Sequence, residues 1–163
     1  VYNSLIVPYF NYCSPVWEGI GSQLSSKLQK LQNRAARVIA ERSYETPSSN
    51  LLEELNWHKL YINRKKHKAI LIFKTLNGNM PHYLQEIFSP RVSFYDLRDM
   101  ENKLFVPKPR TEYLKRSFGY SGAVLWNSLP PDLRSAQTLL IFKRGLEGWL
   151  SSIDTPHGNH VNQ

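Results

Sequence analysis

The side chains that could ligate a metal or shuttle a proton are few and scattered: one cysteine, Cys13, and five histidines, His58, His67, His82, His157 and His160. A structural zinc site takes four Cys or His ligands at close spacing, which this set does not offer. Two-metal phosphoryl transfer needs carboxylates that converge on the ions. Asp96, Asp99, Asp132 and Asp154 stand instead in turn-forming or tail sequence, with no acidic pair in an apolar strand. Gly19 and Gly21 are followed by neither a Gly-Lys-Ser/Thr triplet nor strand-turn-helix sequence, so no phosphate-cradling loop is expected. Gly119-Tyr120-Ser121-Gly122 lacks the spacing of a nucleophile elbow and reads as a turn. The expectation is a chain with no catalytic residue, no metal site and no cofactor of its own.

Positive charge is what the sequence does concentrate. There are 21 Lys+Arg against 13 Asp+Glu, a net charge of +8, and a pI near 9.6, a balance that points to a phosphate-bearing partner. Three segments carry it. Lys27, Lys30, Arg34 and Arg37 fall on one face of an amphipathic helical pattern. Arg64, Lys65, Lys66 and Lys68 lie in a stretch between Glu54 and Glu86 that holds no acidic residue. Lys108, Arg110, Lys115 and Arg116 alternate with Tyr113, Phe118 and Tyr120, a mixture in which cations meet phosphates and rings can stack on bases. Charged stripes usually just face water, and the expectation for the last segment is that Phe118 and Tyr120 are buried while some cations point outward.

The elements that must position these cations read as helices. Val1 to Trp17 is aromatic and apolar but interrupted by Pro8 and Pro15, so the end of a helix and then an irregular strap are expected, packed on a partner surface upstream. Ser22 is a plausible N-cap for a helix whose stripe is Leu24, Leu28, Leu31, Ala35, Val38 and Ile39. Thr46-Pro47 opens a short helix through Leu51, Leu52 and Leu55, and a long one runs from Trp57 to about Leu76, apolar on two faces and therefore central, with its lysines snorkelling outward. Asn77-Gly78-Asn79 suits a left-handed C-cap, and Met80-Pro81 starts a short helix with Tyr83, Leu84, Ile87 and Phe88. Lys103 to Arg110 reads as extended, with Ser117 to Tyr120 as its possible hairpin partner. Gly122 to Leu129 is a short helix before Pro130-Pro131, and Thr138 caps a last helix with Leu139, Phe142, Leu146, Trp149, Leu150 and Ile153 on its face.

The fold expected is thus mainly α: a helical lobe over residues 1–90, a smaller lobe over 91–153 with at most a short β-hairpin and a terminal helix, and a disordered tail over 154–163. A single cysteine excludes an internal disulfide, no run of about 20 apolar residues spans a membrane, and no signal peptide opens the chain, so the setting expected is nuclear or cytoplasmic. The start at Val1, without an initiator Met, suggests a fragment of a larger polypeptide.

A set of landmarks adds a resemblance. Asn11-Tyr12-Cys13-Ser14-Pro15-Val16-Trp17 is followed by Leu31-Gln32-Asn33-Arg34-Ala35-Ala36-Arg37-Val38-Ile39, then by Trp57 to Arg64 and Ile72-Phe73-Lys74 through Gly78 to Pro81-His82-Tyr83-Leu84. Tyr95-Asp96-Leu97-Arg98, Pro107-Lys108-Pro109-Arg110-Thr111, Ser117-Phe118, Leu125-Trp126-Asn127-Ser128-Leu129-Pro130 and Phe142-Lys143 continue the order. Together they resemble the region that follows the polymerase core in reverse transcriptases of non-LTR, jockey-like retrotransposons, and the likeness covers nearly the whole chain except the tail. It implies a parent polypeptide that copies RNA into DNA with magnesium and usually carries an endonuclease. The paired-aspartate polymerase motif has no counterpart here, so the resemblance carries over no catalytic residue. Some related elements end in a zinc knuckle, a pattern from which this sequence departs.

The function expected is non-catalytic support of RNA or DNA binding beside an upstream polymerase core of the same polypeptide, with no membrane partner. The alternatives are a protein–protein packing module, in which the charge is incidental, and a decayed element fragment without function.

Overall fold

The computed structural model describes residues 2–91 and 102–154. The landmark Tyr95-Asp96-Leu97-Arg98, most of the expected lobe boundary and the tail beyond Asp154 lie outside the described residues. The fold is mainly α, with no sheet among the described residues and a single isolated bridge, between Pro90 and Leu104. The chain divides into two compact units, Val1–Lys65 and Lys66–Gln163.

In the first unit a π-helical turn, Tyr2–Ile6, leads into α1, Val7–Asn11, and α2, Ser14–Trp17, each admitting a proline in its first turn, where the missing amide costs nothing. The long helix α3 covers Ser22–Ile39. It ends with Glu41 in the left-handed region (φ 50) and Arg42 N–H donating to Arg37 C=O at 3.2 Å, a closing geometry usually built with glycine. Helix α4, Ser48–Glu54, ends the same way: Asn56 has φ 53 and Trp57 N–H donates to Leu52 C=O at 2.7 Å. The core of the unit is Ala36, Leu51 and Leu52, with Ala40, Leu55 and Trp57 packed against it, and Tyr2 stacks on Trp57 with ring centroids 3.9 Å apart.

Helix α5, Leu60–Leu76, contains the boundary between the units and closes at Gly78, whose φ of +71 and the Asn79 N–H bond to Lys74 C=O (2.9 Å) make the left-handed cap expected there. Trp57 to Lys59, expected inside this helix, precede it, because Asn56 turns the chain out of α4. Short α6, His82–Gln85, follows Pro81. The second unit continues with α7, Glu112–Arg116, α8, Phe118–Asn127, α9, Pro131–Arg134, and α10, Leu139–Asp154. Its core stacks Phe73 on Phe142 (4.5 Å) and Trp126 on Phe142 (5.8 Å), with Phe88 edge-on to Phe118 (5.2 Å).

The expected pairing of Lys103–Arg110 with Ser117–Tyr120 does not form. Thr111 caps α7 by accepting from Leu114 N–H, and Ser117 caps α8 by accepting from Tyr120 N–H, so residues 118–120 are the first turn of a helix and not a strand. The extended chain around Leu104 pairs instead with residues 89–91, through Arg91 N–H to Lys103 C=O (2.9 Å) and Phe105 N–H to Ser89 C=O (2.8 Å). On its other side the Asn127 carboxamide replaces a neighbouring strand, accepting from Leu104 N–H and donating to Leu104 C=O, both at 2.8 Å. Trp126 Nε1 adds a bond to Asn102 C=O at 2.8 Å.

Candidate nucleic-acid interface

Helix α3 positions the first group of cations, and its packing departs from the expected stripe. Successive side chains turn by about 100° around a helix axis, so every residue can be assigned to an arc. The arc that packs against α4 holds Gln32 and Ala36, both buried, with Gln29 and Ala40 beside them. Its polar members are consumed by the chain leading into α5: Gln32 Nε2 donates to His58 C=O at 3.0 Å, and Leu60 N–H donates to Gln29 Oε1 at 3.0 Å. Gln29 Nε2 also donates to Gln32 Oε1 at 2.7 Å and Asn33 Oδ1 at 2.9 Å. The apolar residues expected to bury, Leu24, Leu31, Val38 and Ile39, are therefore rotated out of the core and exposed. Beyond them comes the cationic arc of Lys27, Lys30, Arg34 and Arg37.

Lys27, Lys30 and Arg34 are exposed and make no ion pair among the described residues. Arg37 lies over the Tyr44 ring at 4.9 Å, half-buried, with its Nε shut off from solvent and from any acceptor. Four of the predicted contacts thus share one arc of one helix.

The group on α5 behaves differently, and two of its members correct the expectation that they face a polyanion. Arg64 is only 4% exposed: its Nη2 donates to Ser25 Oγ at 2.7 Å and its guanidinium stands over the Trp17 ring at 5.4 Å. Burial lowers its pKa, with Glu18 acting in the opposite sense. Lys68 is 2% exposed and donates to Ser121 Oγ at 2.7 Å. The reason is register, since Leu60, Arg64, Lys68 and Ile72 are four residues apart and form one buried row. Lys66 is half-buried and bonded to Glu147, and Lys65 lies against the Tyr61 ring at 5.5 Å. His67, half-buried, has its pKa lowered by burial and then by the neighbouring Lys66 charge.

In the third group Lys108 and Arg110 are exposed. Lys115 pairs with Glu112 within α7, which raises the lysine and lowers the glutamate, and Arg116 lowers the glutamate further. Phe118 and Tyr120 are half-buried, Phe118 against Phe88, and Tyr113 is exposed. These cations belong to the second unit and those of α3 to the first.

Comparison with protein-family models, with curated proteins and with solved structures finds no match to this chain. The likeness to the retrotransposon region rests on the sequence landmarks alone. One of them has a physical role in the second unit: Trp126 and Asn127 pin the chain at 102–104 through the bonds described above.

No group of three or more His, Cys, Asp or Glu that could hold a metal occurs among the described residues, and no helix among them is long and apolar enough to cross a membrane. A cleft of about 320 Å³ in the second unit is rimmed by Asn77, Lys103, Arg134 and Gln137 over Leu76 and Trp126. Its described lining includes no carboxylate and no histidine, so it offers no acid–base pair. The feature that sequence reasoning misses is the exposed apolar arc of α3. The signal that finds it is the pair Gln29 and Gln32, whose side chains occupy the arc that the leucines leave.

Proposed function

We propose that this chain is a non-catalytic part of an RNA-directed DNA polymerase of the non-LTR retrotransposon kind, and that its cations hold template RNA or target DNA beside a polymerase core of the same polypeptide. The observation that carries the binding half of this reading is the cationic arc of α3, where exposed Lys27, Lys30 and Arg34 are left without carboxylate partners among the described residues. A helix is a rigid mount, so three such charges at three- and four-residue steps follow a phosphate backbone without reading bases. Within the first unit Lys65 adds to these cations in this reading, and Lys108, Arg110 and Arg116 form a cationic group of the second unit's own, whereas buried Arg64 and Lys68 and carboxylate-bound Lys66 and Lys115 contribute less.

Filter binding of a single-stranded RNA over a salt series tests it. The expected affinity falls with salt, with a slope of roughly −0.7 per phosphate contact. Charge reversal of Lys27, Lys30, Arg34 and Arg37 is expected to flatten that slope while the far-ultraviolet circular dichroism stays unchanged. Salt-independent binding, no binding at low salt, or full retention by the reversed variant overturns the proposal.

A further inference from the structure

Beside its cations α3 carries a second surface that its core leaves unused. Leu24, Leu28, Leu31, Ala35 and Val38 follow one another at alternating four- and three-residue steps, the spacing of a heptad seam in which Leu24, Leu31 and Val38 take d and Leu28 and Ala35 take a. The three d-type residues are 55, 54 and 72% exposed, and the two a-type residues are half-buried. From Leu24 to Val38 the seam runs about 21 Å at 1.5 Å per residue. Isolated apolar residues on a surface need no explanation, but a contiguous row along one helix marks a place where another apolar surface sits.

The flanks say what kind of surface. Lys27 and Arg34 occupy the g-type positions along one edge, Ser25, Gln32 and Ile39 the e-type positions along the other, and α3 contains no acidic residue at all. We propose that this seam docks a partner helix of about two heptads that carries large aliphatic residues at its own a and d positions and Asp or Glu opposite Lys27 and Arg34.

Three other occupants fit less well. A second copy laid antiparallel sets Lys27 and Arg34 against the same two cations, and one laid parallel sets them against Gln32 and Ile39, so neither supplies a carboxylate. A lipid surface needs a helix free to sink its apolar face, yet the arc adjoining the seam is packed on α4 through Gln32 and Ala36, and α3 has no Trp or Phe. A nucleic acid meets the cations and leaves the leucines in water. The seam proposal shares Lys27 and Arg34 with phosphate binding but is distinguishable from it, because the leucines decide whether a helix docks and leave a nucleic acid untouched.

The test uses the full chain and two labelled helical peptides of three heptads, both with Leu at a and d, one with Glu and the other with Lys at e and g. Like charges keep each peptide from pairing with itself. In fluorescence anisotropy the Glu peptide is expected to bind about tenfold or more tightly than the Lys peptide, and Leu31→Asp or Val38→Asp to weaken it by about tenfold or more. Both residues are exposed, so circular dichroism should report intact helix in each variant. Replacing Lys27 and Arg34 together by Glu is expected to reverse the preference between the peptides. Equal binding of the two peptides, no binding of either, or binding insensitive to both Asp variants overturns the proposal. So does a dimer in sedimentation equilibrium that Leu31→Asp dissolves, or binding to phosphatidylserine vesicles that the same variant abolishes.

Discussion

Asn127 shows how much one side chain can hold. Its carboxamide satisfies both the N–H and the C=O of Leu104, a residue whose side chain is buried, and the same stretch of chain receives the Trp126 indole at Asn102. Truncation to alanine leaves two backbone groups without partners, each costing about 1–3 kcal/mol. Asn127→Ala is therefore expected to lower the urea midpoint strongly. Asn127→Asp should also destabilise, since a carboxylate accepts from Leu104 N–H but cannot donate to Leu104 C=O. An unchanged midpoint in the aspartate variant would show that only the N–H bond matters. Residue identity is legible from the sequence here, but the role is not: Asn127 stands in a run that reads as part of a helix, and its partner is 23 residues away. The cations of α5 teach the same lesson from the other side. Charge in Arg64-Lys65-Lys66-His67-Lys68 is plain, but burial depends on register. Arg64 and Lys68 continue the row of Leu60 and Ile72, which amphipathic reasoning fills with apolar residues only.

At the scale of elements, glycines test whether packing or helix propensity governs α10. Gly145 and Gly148 both weaken a helix on propensity grounds, and each glycine costs about 0.5–1 kcal/mol against alanine in a free helix interior. Their surroundings differ. A methyl group on Gly148 meets nothing within 4 Å, whereas one on Gly145 overlaps the Cδ2 atom of buried Leu133. Gly148→Ala is expected to stabilise by about 0.5–1 kcal/mol, and Gly145→Ala to destabilise by about 1–3 kcal/mol through overpacking. Thermal melts of the two variants should move in opposite directions, and a shared direction would mean that Leu133 gives way without cost. The existence of α3, α4, α5, α8 and α10 is legible, because hydrophobic periodicity and punctuating residues such as Thr138 and Gly78 are local; Ser22, expected to cap α3, is instead its first residue, after Gly21, and makes no capping bond. The direction that α3 faces is not. Its strongest apolar stripe points away from α4, and what settles the packing is a pair of hydrogen bonds joining Gln29 and Gln32 to backbone about thirty residues later. Helix α7 escapes a sequence reading because Thr111 follows an extended, proline-punctuated segment and looks like its end, whereas its hydroxyl is a cap.

For the whole molecule, charge sets the response to acid. At neutral pH the chain already carries +8, so each histidine that gains a proton adds to self-repulsion in any compact state. His67 adds a specific contribution. Burial first, and the Lys66 charge second, hold its pKa below the ordinary 6.5 in the folded protein, while unfolding restores the ordinary value. Between the two values the unfolded chain binds the proton more readily, so stability rises with pH in that window. The contribution of neutral His67 is fully present above 6.5 and is lost as pH falls from there through the lowered folded value. Urea midpoints at pH values about one unit above and one unit below the ordinary histidine value should therefore show the native chain weakening in acid. His67→Gln keeps a polar side chain of similar reach without a titrating ring, and it is expected to lose less between the same two pH values. Salt separates this effect from general repulsion: added salt screens charges on the surface over about 10 Å at 0.1 M, but screens a desolvated imidazole much less. Parallel losses for the native chain and the His67→Gln variant at both salt levels would place the acid response in net charge alone, and a persistent gap at high salt assigns it to the burial of His67.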